Sequence, residues 1–137
     1  MKVYIAGKLQ TESERESLEE IDALCKSLDL KTFLPHRDVG LAKDMNDVEK
    51  IFKGDILTGF KNCKLVVALL NGLHVGSGTA WELGYAYAKG IPIIGLKTDE
   101  SIEEALEYLS AILIYSIHFA SSMDELKIKI KEILKLK

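Results

Sequence analysis

The chain is poor in cysteine, proline, tryptophan and glutamine: two, two, one and one among 137 residues. Cys25 and Cys63 stand alone, with no C-x-x-C and no histidine at metal-ligand spacing. A disulfide framework and a zinc module are therefore excluded, and two reduced, partly buried thiols are expected. Basic excess is also missing, since 18 Lys and Arg face 21 Asp and Glu for a formal net charge of −3. Binding along a nucleic-acid polymer needs a basic face, so it is not expected. Long hydrophobic runs are absent too. Val3 to Ile5 is a brief apolar run before Gly7, so no signal peptide is expected. Leu109 to Ala120 is too short to span a bilayer, so no membrane partner is expected and the protein is read as cytoplasmic. The single Gln10 beside many Lys, Glu and Ile leans toward the composition of heat-adapted proteins.

Apolar periodicity carries the fold. Lys2 to Ala6 reads as a first strand, and Thr11 to Leu28 as a helix with Leu18, Ile21, Leu24, Cys25 and Leu28 on one side. Lys31 to Leu34 is a second strand stopped by Pro35, and a polar loop is expected from His36 to Lys43. Asp44 to Phe60 reads as one helix with Val48, Ile51, Phe52 and Ile56 on its apolar side. Leu65 to Leu70 and Ile91 to Leu96 are buried strands flanking a glycine-rich turn and a helix. Asp99 to Leu109 is a further helix, with Ser101 and Glu104 at capping-box spacing. Ala111 to Tyr115 reads as the fifth strand, and Ser122 to Leu136 as an amphipathic closing helix. Five strands alternating with five helices predict an α/β fold: a five-stranded parallel sheet in a three-layer α/β/α arrangement, flavodoxin-like, of order 2-1-3-4-5. With no linker or repeat, residues 1–137 are expected to form a single domain.

In such a fold the loops after strands 1, 2 and 3 meet at one edge, where open α/β sheets hold their ligands. Those loops supply Gly7 and Lys8, Pro35 to Asp38, and Asn71 to Ser77. Glu82 falls in the first turn of the following helix, where the dipole favours its ionised form. It is the candidate anionic nucleophile; Asp38 is a second carboxylate, and Asp55 a third, late in the preceding helix. A structural role competes for the same residue: Thr79 to Glu82 is a T-x-x-E capping box, in which Glu82 bonds back to the Thr79 N–H. Gly76 and Gly78 form only G-x-G, which lacks the third glycine of a dinucleotide fingerprint and any Walker lysine. His36-Arg37-Asp38 matches the kinase catalytic triplet, but no glycine-rich lid or kinase-sized chain accompanies it. The histidines are read as surface or core residues, and the terminal lysines as a solvated helix face.

Taken together, KVYIAGKL, FLPHRD, GDILTGFKNCKLVVALLNG and above all SGTAWELGYAYAKGIPIIGLKTD resemble the nucleoside 2-deoxyribosyltransferase family. The related 2'-deoxynucleoside 5'-phosphate N-hydrolases share the fold and the glutamate-glycine core of the motif. The resemblance implies double displacement at C1' of a 2'-deoxynucleoside through a covalent deoxyribosyl ester. It makes Glu82 the nucleophile, Asp55 the proton donor near the leaving base, and Tyr4 the residue positioning the nucleophile. Arg37 and Asp38 match the loop bordering the base. Gly7, Asn71, Gly76, Ser77, Gly78 and Thr79 match the substrate-binding segments. The implied partners are a deoxynucleoside or deoxynucleotide and a free base; a homo-oligomer is implied, with Trp81, Tyr85 and Tyr87 at the contact or in the core. No cofactor and no metal is implied.

Two positions depart from the family pattern. Gly76 stands where transferases commonly carry an aspartate gripping the sugar 5'-hydroxyl, and Asn71 replaces an aspartate often found after strand 3. Losing a carboxylate at Gly76 also removes a charge that repels phosphate, so backbone N–H groups with Ser77 and Thr79 become a candidate nest for a 5'-monophosphate. Three functions follow: a deoxyribosyltransferase, a 5'-monophosphate N-glycosidase, and a nucleotide-binding module without catalysis.

Overall fold

The computed structural model describes residues 1–137. Strands β1 (Lys2–Ala6), β2 (Lys31–Phe33), β3 (Cys63–Leu69), β4 (Ile93–Leu96) and β5 (His118–Ala120) form one sheet of order β2-β1-β3-β4-β5. All four pairings are parallel, as the alternation of elements predicts. Parallel strands need crossovers, and these cover both faces of the sheet. Helices α1 (Glu12–Ser27) and α7 (Met123–Leu134) cover one face, meeting Val3, Ile5, Leu65, Val67 and Ile94. The intervening strand residues Tyr4, Ala6, Val66 and Ala68 point the other way and pack with Leu83 and Ala86 of α4 (Ser77–Ala88) and with Ile56. The two-residue period of a strand thus sends Tyr4 to the α4 side.

Several elements differ from the sequence reading. The expected loop after β2 begins as a short helix, α2 (Pro35–Asp38), because Pro35 at its first turn needs no N–H partner. The single helix expected over 44–60 is composite: a 3-10 turn at Met45–Asp47, α3 (Val48–Phe52), then a π-helical segment at Lys53–Thr58. Its widened register appears in the Gly59 N–H, which donates to Gly54 O at 2.9 Å. A Cβ on Gly59 would lie 2.7 Å from the Tyr4 ring and 2.8 Å from the Phe33 ring, so only glycine lets this segment close on the sheet. The helix expected over 99–109 is confined to α5 (Ile102–Ala105), capped by Ser101, and continues to Leu109 as hydrogen-bonded turns.

The fifth strand is corrected. Residues read as strand over 111–115 form helix α6 (Ala111–Ser116), started by Ser110, whose hydroxyl accepts the Ile112 N–H at 3.2 Å. The slot beside β4 is filled instead by His118, Phe119 and Ala120, paired with Ile94, Gly95 and Leu96. A short β-branched run does not by periodicity distinguish a strand from one helical turn and a half. Here Ile112 and Tyr115 remain exposed, as one side of a surface helix allows and an inner strand does not. No helix is long and apolar enough to cross a membrane.

Candidate active site

Two helical faces oppose each other beside the sheet. Val48, Ile51, Phe52 and Asp55 follow one another at helical spacing on α3 and the π segment. Ser77, Gly78, Trp81 and Glu82 do the same on α4. Together with Ala42 and Ile56 they enclose a cavity of about 440 Å³, within the size range of small-ligand sites. Its walls are largely apolar and its two titratable groups are both carboxyls.

Glu82 is the sixth residue of α4, one turn further in than expected. The capping box is not formed: Gly76 is the N-cap with no side-chain bond, and Thr79 lies buried inside the helix. The carboxylate instead accepts a hydrogen bond from the Tyr4 hydroxyl, from a residue 78 positions away. Tyr4 is fully buried and stacks on Phe60 at 4.1 Å and on Phe33 at 5.2 Å, so its hydroxyl is held rigidly. The expectation that the helix dipole keeps Glu82 readily ionised is corrected. Burial raises its pKa to about 7, the charge of Asp55 adds to the rise, and the Tyr4 bond opposes it.

Asp55 sits in the π segment, where wide helical turns recur at functional sites. Its Oδ1 is buried without a hydrogen-bond partner, and burial raises its pKa to about 6. A buried carboxyl oxygen without a protein partner disfavours the charged form, which agrees with the raised pKa. The pair is thus a hydrogen-bonded carboxylate and a half-buried carboxyl, both able to exchange protons near neutrality.

The remaining sequence candidates divide. Ser77 and Gly78 line the cavity. Gly76 starts α4, and a Cβ there would meet the Lys8 stem at 3.3 Å. Gly7 is a close-approach position whose Cβ would lie 2.8 Å from Leu18. Asn71 is turned toward the β4 exit, bonding the Thr98 N–H and hydroxyl at 2.8 Å each. Arg37 and Asp38 are not among the cavity walls. Arg37 bridges Asp22 at 3.1 Å and Asp38 at 2.8 Å, and that guanidinium holds Asp38 below the usual carboxylate range. Asp38 also accepts the Leu34 N–H at 2.9 Å, capping the turn after β2. The second carboxylate facing Glu82 is therefore Asp55, not Asp38.

Phe52, read from sequence as the apolar side of a helix, and Trp81, read as an oligomer contact or core residue, both line the cavity. They meet edge to face at 5.8 Å while 47% and 51% exposed, and Trp81 stacks on Tyr85 at 5.7 Å. Their signal was present: Val48, Ile51, Phe52 and Asp55 share one helical face, and a carboxylate on an apolar stripe marks a cavity wall better than a core. Such half-exposed rings offer flat apolar surface to a planar ligand. No group of three or more His, Cys, Asp or Glu is arranged to hold a metal ion.

An open parallel sheet with two carboxyls of raised pKa at one apolar cavity is the arrangement of a small-ligand α/β protein. Within that class, the profile of the Nucleoside 2-deoxyribosyltransferase family matches residues 3–113, and the chain belongs to that family. No curated protein sequence matches it. Among solved structures it is similar to a 2-deoxyribosyltransferase from the psychrotolerant bacterium Bacillus psychrosaccharolyticus, at 19% identity and TM-score 0.77, over 93% of this chain and 90% of that one. It is similar to a conserved protein from Enterococcus faecalis V583, at 25% identity and TM-score 0.73, over 96% and 98%. It is also similar to the Clostridium botulinum CMP N-glycosidase BcmB, at 20% identity and TM-score 0.55, over 98% and 99%.

Proposed function

We propose that the chain is an N-glycosyl transferase of 2'-deoxynucleosides, acting through a covalent deoxyribosyl-Glu82. The observation that carries this reading is Glu82 itself: free of the main chain, held by Tyr4, and facing a cavity it shares with Asp55. In the first half-reaction a Glu82 oxygen bonds to C1', the C1'–N bond breaks, and Asp55 gives its proton to the departing base nitrogen. The anion also stabilises the oxocarbenium-like transition state before it bonds to it. In the second half, an incoming base loses its N–H proton to Asp55 as its nitrogen displaces the ester. Phe52 and Trp81 would flank the base. Membership of a family whose name is that activity supports the same reading.

A second reading is hydrolysis of 2'-deoxynucleoside 5'-monophosphates, in which water takes the ester. Lys8 favours it: the ammonium would lie 3.1 Å from a Cβ on Gly72 and its stem packs on Gly76, while its acidic partner Glu14 is 4.0 Å away. One experiment separates the readings. Deoxynucleosides and their 5'-monophosphates are incubated with and without free adenine, and the products are identified. Transfer predicts a new deoxyadenosine species that grows with adenine. Hydrolysis predicts free sugar or sugar phosphate regardless of adenine. Release of no base from any substrate would leave only the binding-module function. The remaining proposals are one domain over 1–137, a homo-oligomer and a cytoplasmic location; sedimentation measures the second.

Tyr4→Phe tests the positioning role. Phenylalanine keeps the stack on Phe60 but removes the donor, and since that bond lowers the Glu82 pKa, the variant raises it further. The acid limb of the pH–rate profile should move to higher pH, with a loss of about tenfold below neutrality. An unmoved limb would deny Tyr4 that role.

A further inference from the structure

The edge of the sheet opposite the candidate site gathers four lysines. Lys2 opens β1, Lys31 opens β2, Lys64 is the second residue of β3, and Lys61 lies just before that strand. Parallel register sets Lys2 beside both Lys31 and Cys63, so neighbouring strands present their first residues to one place. Together with Met1, Thr58 and Asn62 the four enclose a cleft of about 610 Å³ with no carboxylate in its wall. Of the lysines elsewhere, Lys26 pairs with Asp22 at 3.0 Å and Lys53 with Glu49 at 3.0 Å. None of the four in the cleft makes an ion pair. The Lys2 ammonium is the floor, fixed by the carbonyls of Thr58 at 2.9 Å and Lys61 at 3.1 Å.

Four like charges in one concave place repel each other, and a chain of net charge −3 has acidic residues enough to have paired them. A ligand that brings several negative charges close together removes that cost. The geometry points to a binding site for a compact polyphosphate, the di- or triphosphate group of a nucleotide or of inorganic polyphosphate, held by Lys31, Lys61 and Lys64 over Lys2. A nucleic-acid polymer fits less well, because the cleft is compact and the chain is acidic overall. The site does not depend on the proposed function, since Glu82 and Asp55 take no part in it.

The test is titration of the full chain with inorganic tripolyphosphate at fixed ionic strength, followed by calorimetry and by backbone amide shifts. Saturable one-to-one binding is expected, weakening with salt, with shifts at residue 31 and over 58–64. Changing Lys31, Lys61 and Lys64 together to Gln should lower the affinity at least about tenfold with an unaltered melting temperature. Glu82→Gln should bind as wild type does. Should the triple variant lose its fold, Lys61→Gln and Lys64→Gln singly should each weaken binding about threefold. A nucleoside triphosphate arm assigns the source: equal affinity means that the phosphates alone are read, and much tighter binding means a nucleotide. Absence of saturable binding, amide shifts gathered instead at Ser77 to Trp81, or preference for a single-stranded oligonucleotide would each overturn the site.

Discussion

Glu82→Gln should release base from a deoxynucleoside at least about a thousandfold more slowly than wild type, the scale seen when a covalent nucleophile is removed. Glutamine has the same shape, and its amide oxygen still accepts from the Tyr4 hydroxyl, so the fold and the stacked rings are preserved. What is lost is the charge that stabilises an oxocarbenium-like centre and the oxygen that forms the ester. Two readouts check this: base release followed by chromatography, and mass spectrometry of quenched wild-type reactions, which should carry one added deoxyribosyl group that the variant lacks. Turnover unchanged in the variant would remove Glu82 from the chemistry.

The same substitution makes a stability prediction of definite sign. The folded pKa of Glu82 is raised from 4.5 to about 7, mainly by burial. Below the unfolded value the carboxyl is protonated in both states and carries no penalty. Between the two values the folded state keeps a proton that the unfolded state has released, so stability falls as pH rises across this window. Above the folded pKa the cost is complete, on the order of 2 kcal/mol after discounting for partial exposure. Glu82→Gln should therefore melt higher than wild type near pH 8 and about equally near pH 4. The proposed nucleophile is an expense to the fold, as polar groups kept for function commonly are.

Asp55→Asn is expected to slow release about a hundredfold for natural bases and far less for activated leaving groups, which depart without a proton. The pH profile carries the sharper signal. The reaction needs Glu82 ionised and Asp55 protonated, and the two groups have pKa values raised to about 7 and about 6. The rate should thus peak near neutrality and fall on both sides, with macroscopic values that belong to the pair. Asparagine at 55 removes the group whose deprotonation makes the alkaline limb, so that limb should flatten while the acid limb stays. Equal slowing for good and poor leaving groups would count against the acid role.

How far the residues themselves could be read depended on range. The alternation Val3, Tyr4, Ile5, Ala6 and the apolar run Leu65 to Leu70 require burial on both faces, which a covered parallel sheet supplies. Helix α1 was legible for the same local reason, with Thr11 and Glu14 forming the capping box that starts it. Residues 111–120 were not legible, because two short apolar runs compete for one slot beside β4 and only the packed sheet selects His118 to Ala120. The T-x-x-E at Thr79 failed in the same way: a local hydrogen bond was available, but the helix began at Ser77 and turned Glu82 toward the sheet.

By itself, the sequence determined the alternation of strands and helices, hence a covered parallel sheet, and the presence of a carboxylate just beyond the third strand. Periodicity and crossover rules act over a few residues and survive without coordinates. The family resemblance already pointed to Tyr4 and Asp55, but only the tertiary structure bonds the Tyr4 hydroxyl to Glu82 in place of the Thr79 capping box, puts Asp55 and not Asp38 in its cavity, and engages Arg37 in an ion-pair network. Those outcomes rest on contacts between distant parts of the chain and on burial, and burial is what moves both carboxyls toward neutral pH.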